Sequence, residues 1–75
     1  MKKYSSFILE YNPGAATYSC IYRIIRNNWY LLCTIAGNRR QVWRKVRYLG
    51  FEPVGHLKRW NRLSSIWIVG LRRKR

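Results

Sequence analysis

Apolar and polar positions alternate near the start of the chain. In residues 4–11, Phe7, Leu9 and Tyr11 fall on one face of an extended segment, and this spacing predicts a strand. Asn12-Pro13-Gly14 follows, and Asn and Pro are preferred at the cap and first position of a helix. Tyr18, Ile21, Tyr22 and Ile25 then recur at i, i+3, i+4 and i+7, which predicts a helix over 13–26 ended by Asn27-Asn28. Trp29 to Ala36 is an unbroken apolar run, as expected of a strand covered on both faces in a parallel sheet. After Gly37, Asn38 caps a second helix predicted over 39–49. Val42, Val46 and Leu49 form its apolar stripe, with Trp43 beside it, and Gly50 stands where a left-handed C-cap belongs. Residues 51–60 and 65–71 read as two strands in a hairpin, and Pro53 and Gly55 place the first of them at an edge. Arg72 to Arg75 reads as a short mobile tail.

The expected architecture is therefore a single small α/β (α+β) domain over 1–71 followed by a basic tail at 72–75. Its order is β-α-β-α-β-β, a mixed sheet with two helices. A strand–helix–strand unit implies a right-handed crossover and a parallel pair.

Charge changes the picture more than any motif. The 75 residues carry 16 Lys and Arg against two acids, for a formal net charge of +14. Nothing internal can neutralise that excess, so the molecule attracts polyanions through a long-range field. Eleven of the cations are Arg, whose planar fork suits phosphate. Residues 1–38 sum to +3 and residues 39–75 to +11, which places the anion-binding surface on the second half. At 48% hydrophobic the chain is not a disordered basic tail. Sequence reasoning assigns nucleic-acid or acidic-protein contact to Arg39, Arg40, Arg44, Lys45, Arg47, Lys58, Arg59, Arg62, Arg72, Arg73, Lys74 and Arg75. Trp60, among Lys58, Arg59 and Arg62, is the candidate stacking aromatic. Arg40, Arg44 and Arg47 stand at i, i+4 and i+7 on one helix face. No sequence-reading nucleic-acid motif is present.

The remaining chemistry is sparse. Cys20 and Cys33 form no C-x-x-C pair, and His56 alone cannot complete a zinc set, so no metal site and two free thiols are expected. Met1-Lys2-Lys3 leads into polar Tyr4-Ser5-Ser6 rather than a signal peptide. The longest apolar run is far shorter than the ~20 residues that span a bilayer, so a cytoplasmic location without membrane contact is expected.

Leu31 to Asn38, the helix after it, and Tyr48-Leu49-Gly50-Phe51-Glu52-Pro53-Val54-Gly55 resemble the C-terminal half of the GCN5-related N-acetyltransferase (GNAT) fold, in a reduced form similar in style to phage proteins. The resemblance implies a helix N-terminus that binds the pyrophosphate of acetyl-CoA, with Asn12, Gly14, Ala15 and Ala16 as the remnant of its phosphate loop. Tyr11 stands where the family has Arg or Gln, and Val46 where it often has a catalytic Tyr. These departures favour a non-enzymatic binding protein, of viral type, that engages nucleic acid or an acidic host or virion protein and has no cofactor. The alternatives are a minimal acetyltransferase completed by dimerisation, using acetyl-CoA, and a structural component of a ribosome or virion.

Overall fold

The structure, a computed structural model, describes residues 7–13, 18–59 and 65–74. Its elements are β1 (Phe7–Tyr11), β2 (Tyr18–Ile25), β3 (Asn28–Ala36), α1 (Arg39–Tyr48), β4 (Phe51–Arg59) and β5 (Trp67–Arg73). The strands form one antiparallel sheet in the order β3-β2-β1-β5-β4. The mixed α+β class and the terminal hairpin agree with the sequence expectation; the element order does not.

The correction lies in residues 18–25, where a strand replaces the expected helix. Tyr-Ser-Cys-Ile-Tyr-Arg-Ile-Ile is rich in aromatic and β-branched residues, which suit a pleated surface better than a helix. Ser19, Ile21 and Arg23 share one face and Cys20, Tyr22 and Ile24 the other. Ile25 pairs with Asn28, leaving a two-residue turn at Arg26-Asn27 with φ of 51° and 68°. Positive φ at both positions marks a type I′ turn, whose twist matches that of the strands it joins. So short a connection permits only an antiparallel pair, so the expected parallel crossover is absent.

A second correction follows. The apolar run Trp29 to Ala36 is an antiparallel edge strand rather than one covered on both faces, and Trp29, Tyr30, Leu31 and Leu32 are exposed. Asn12 is no helix cap either. Its backbone N–H donates to Ser19 Oγ (3.1 Å) and its side-chain Nδ2 donates to the Tyr18 carbonyl (2.8 Å), which tie β1 to β2 and satisfy the buried Ser19 hydroxyl. The expected tail is partly sheet: Arg72 and Arg73 belong to β5, and the Lys74 N–H donates to the Gly50 carbonyl (2.7 Å).

α1 begins after β3 at one edge of the sheet and ends before β4 at the other, so it crosses the whole sheet face. Val42 and Val46 point down from it, both fully buried. They meet Phe7, Leu9, Tyr11, Ile21, Ile35, Phe51, Val69 and Leu71 in one core. Burying such side chains contributes roughly 1.5–3 kcal/mol each. Among the described residues no element covers the opposite sheet face, which carries Glu10, Cys20, Tyr22, Val54 and Ile68.

Candidate nucleic-acid interface

The local sequence builds α1 with defined ends. The Asn38 N–H donates to Gln41 Oε1 and the Gln41 N–H to Asn38 Oδ1, both at 2.9 Å, a reciprocal capping box. At the far end Gly50 takes the expected positive φ of 90°, and its N–H donates to the Arg47 carbonyl. With Val42 and Val46 facing the sheet, Arg40, Arg44 and Arg47 point outward from the helix and Arg39 and Lys45 flank the inward stripe; all five are exposed. Lys45 and Arg47 sit in the last turn, where the helix dipole favours cations. Arg39 and Arg40 sit in a first turn that holds no acid, where the same dipole opposes them.

Both carboxylates lie on the other side of the sheet. Glu10 alternates with the core residues Leu9 and Tyr11, and Glu52 follows the core residue Phe51. Each has a partner there. Tyr22 Oη donates to Glu10 Oε1 (3.1 Å), and Arg72 Nε lies 2.6 Å from Glu52 Oε2, directly across the β4–β5 pair. The helix-bearing side is therefore free of carboxylates among the described residues.

Two further groups extend that side. At the end of the sheet where α1 terminates, Phe7 and Phe51 pack with ring centroids 4.9 Å apart. The Arg73 guanidinium lies 4.9 Å from the Phe51 ring and 5.3 Å from Phe7, and that of Arg23 lies 5.9 Å from Phe7. Cations over aromatic faces are held in place while their edges stay open for anions. Toward the start of α1, a hollow of about 660 Å³ opens between the helix and β4, with Tyr11, Trp43, His56 and Trp67 in its lining and Arg39 at its side. It exists because β4 bulges between Val54 and Lys58, where Gly55 has φ of 87° and Gly55-His56-Leu57 leave the ladder. Bulges of this kind re-aim side chains. On the helix's other flank, Arg44, Lys45 and Tyr48 border a second hollow against β3, of about 530 Å³.

The site residues expected from sequence are thus divided. The helix cations, Arg59 and Arg73 share the helix-bearing side, and the Arg59 guanidinium lies 5.7 Å from the Trp67 ring. Lys58 pairs with Ile68 and Arg72 with Glu52, which puts both on the opposite face. Trp60, Arg62, Arg75, Gly14, Ala15 and Ala16 lie outside the described residues. The phosphate loop implied after Asn12 would need a helix behind it, and residues 18–25 are β2 instead. Sequence reasoning missed Arg23 and the Tyr11–Trp43–His56–Trp67 hollow. Its one visible signal was Pro53 and Gly55 inside a strand, the mark of a bulge.

Among the described residues, two groups titrate away from their ordinary values. Burial, then the Glu10 charge and Cys20, push the Tyr22 hydroxyl up to about 12. Burial raises the Cys33 thiol, with Lys45 opposing, so it stays protonated at neutral pH. Both cysteines are free, and no group of three or more His, Cys, Asp and Glu suited to a metal occurs among the described residues. No described helix is long and apolar enough to cross a membrane. No protein-family model matches the chain, and neither a curated protein nor a solved structure matches it.

Proposed function

We propose that this chain is a nucleic-acid-binding protein that docks its helix-bearing face on the phosphate backbone. The observation that carries the reading is the separation of charge. Five exposed cations line α1, Arg23, Arg59 and Arg73 extend the same side, and both acids are engaged on the opposite face. Cations at the spacing of Arg40 and Arg44 repel each other along a helix, and Arg39 and Arg40 oppose its dipole. A bound polyanion relieves both costs at once. The cation type fits the same partner, because guanidinium groups bind phosphate oxygens in pairs. Arg73 and Arg23, stacked on Phe7 and Phe51, form a preordered end to the surface.

The discriminating experiment is a titration against nucleic acid and against poly-glutamate over a series of salt concentrations. Counterion release makes log K for nucleic acid fall linearly with log salt, by about 0.9 per duplex phosphate contacted. Tighter binding of poly-glutamate than of nucleic acid at every salt concentration would contradict the proposal and point to an acidic protein surface.

A further inference from the structure

We infer that the hollow between α1 and the bulge of β4 receives an unpaired nucleobase, so that single strands are preferred over duplex. This inference rests on the nucleic-acid reading above and adds the form of the ligand. The hollow is lined by flat aromatic side chains: Trp43 from the helix, Trp67 and Tyr11 from the sheet, and His56 from the bulge. Its rim is cationic, with Arg39 at the helix start and the Arg59 guanidinium over the Trp67 ring. No carboxylate lines it. Its volume of about 660 Å³ falls within the ~300–1,000 Å³ common for small-ligand sites.

Position decides which ligand suits these walls. Trp43 sits between Arg39 and Arg40 on one side and Arg44 on the other along α1, so the hollow opens beside the phosphate-facing cations. A strand running along those cations brings its own bases to the mouth of the hollow. Bases stacked within a duplex cannot turn into it, whereas unpaired bases can and stack on aromatic rings with little regard for sequence. The fold keeps the space open at a cost. A regular β4–β5 ladder would leave no bulge, and Trp43 and Trp67 would gain burial if the walls closed; instead both remain partly exposed.

The test compares a short oligothymidylate with an abasic strand of equal length, which keeps every phosphate and lacks the bases, and with a duplex. Tryptophan fluorescence reports stacking, and a labelled strand reports affinity. The expected result is binding of oligothymidylate on the order of tenfold tighter than of the abasic strand, with quenching. Trp43→Leu should bring the two strands to equal affinity. Trp43 packs against the core, so His56→Ala, at an exposed edge-strand position, provides a second variant that leaves the core intact and should also narrow the gap. Equal affinity of the wild-type chain for both strands, a preference for duplex, or a gap unchanged in His56→Ala would overturn the inference. In each of those cases salt-dependent binding of both strands persists. Failure of the nucleic-acid reading itself looks different: poly-glutamate binds more tightly than strand or duplex at every salt concentration, or neither strand nor duplex binds at all.

Discussion

Tyr22 shows how one side chain links the sheet face opposite α1 to stability. Its hydroxyl donates to Glu10, and burial beside that carboxylate raises its pKa to about 12. The unfolded chain releases this proton at about pH 10. The folded state therefore holds the proton where the unfolded state has lost it, and stability must fall as pH rises from about 10 towards 12. Below pH 10 the contribution is complete. Tyr22→Phe removes the titrating group, so its melting temperature should decline less than that of the wild type between pH 9 and 11.5. A parallel decline in the two proteins would show that Tyr22 does not govern this range. Lysine deprotonation acts on both proteins alike and cancels in the comparison.

At the level of elements, α1 is the most locally encoded piece of the fold. Its capping box is made by Asn38 and Gln41 alone, so Asn38→Ala should destabilise the protein by about 1 kcal/mol in chemical denaturation. Asn38→Asp should retain most of the stability, and a loss equal to that of alanine would mean the side-chain acceptor is not the source. The same local character is why this helix was legible in the sequence. Cap, apolar stripe and the positive φ of Gly50 lie within thirteen residues, Asn38 to Gly50. The hairpin of β4 and β5 was legible too, and so was the edge position of β4. β2 was not. Tyr18, Ile21, Tyr22 and Ile25 fit a helical stripe, while a buried Ser19 and an Arg23 held over Phe7 hide the strand alternation. The turn adds to the difficulty, because Arg26-Asn27 occupies positions where Asn-Gly would have announced a hairpin. Misreading that one element turned an antiparallel meander into a parallel crossover and an exposed edge strand into one covered on both faces. The aromatic hollow was hidden for a related reason. It joins Tyr11, Trp43, His56 and Trp67 from four elements: Tyr11 and Trp67 are cross-strand partners, and His56 comes from the bulge of β4.

The whole molecule is a sheet with a cationic, helix-bearing side and a face that holds both of its acids. A net charge of +14 on a body with a Cα radius of gyration of 11.9 Å resists compaction on its own, so a bound polyanion should both be attracted and stabilise the fold. The central claim is that α1 contacts phosphates, and the salt dependence of binding by the triple variant Arg40→Gln, Arg44→Gln, Arg47→Gln addresses it most directly. Glutamine keeps helix propensity while removing the charge, and the buried Val42 and Val46 are untouched, so the fold should persist. On duplex DNA the slope of log K against log salt should shrink by about 2–3, the loss of three phosphate contacts. A slope equal to that of the wild type, with binding intact, would show that this helix face is merely solvated and would contradict the account.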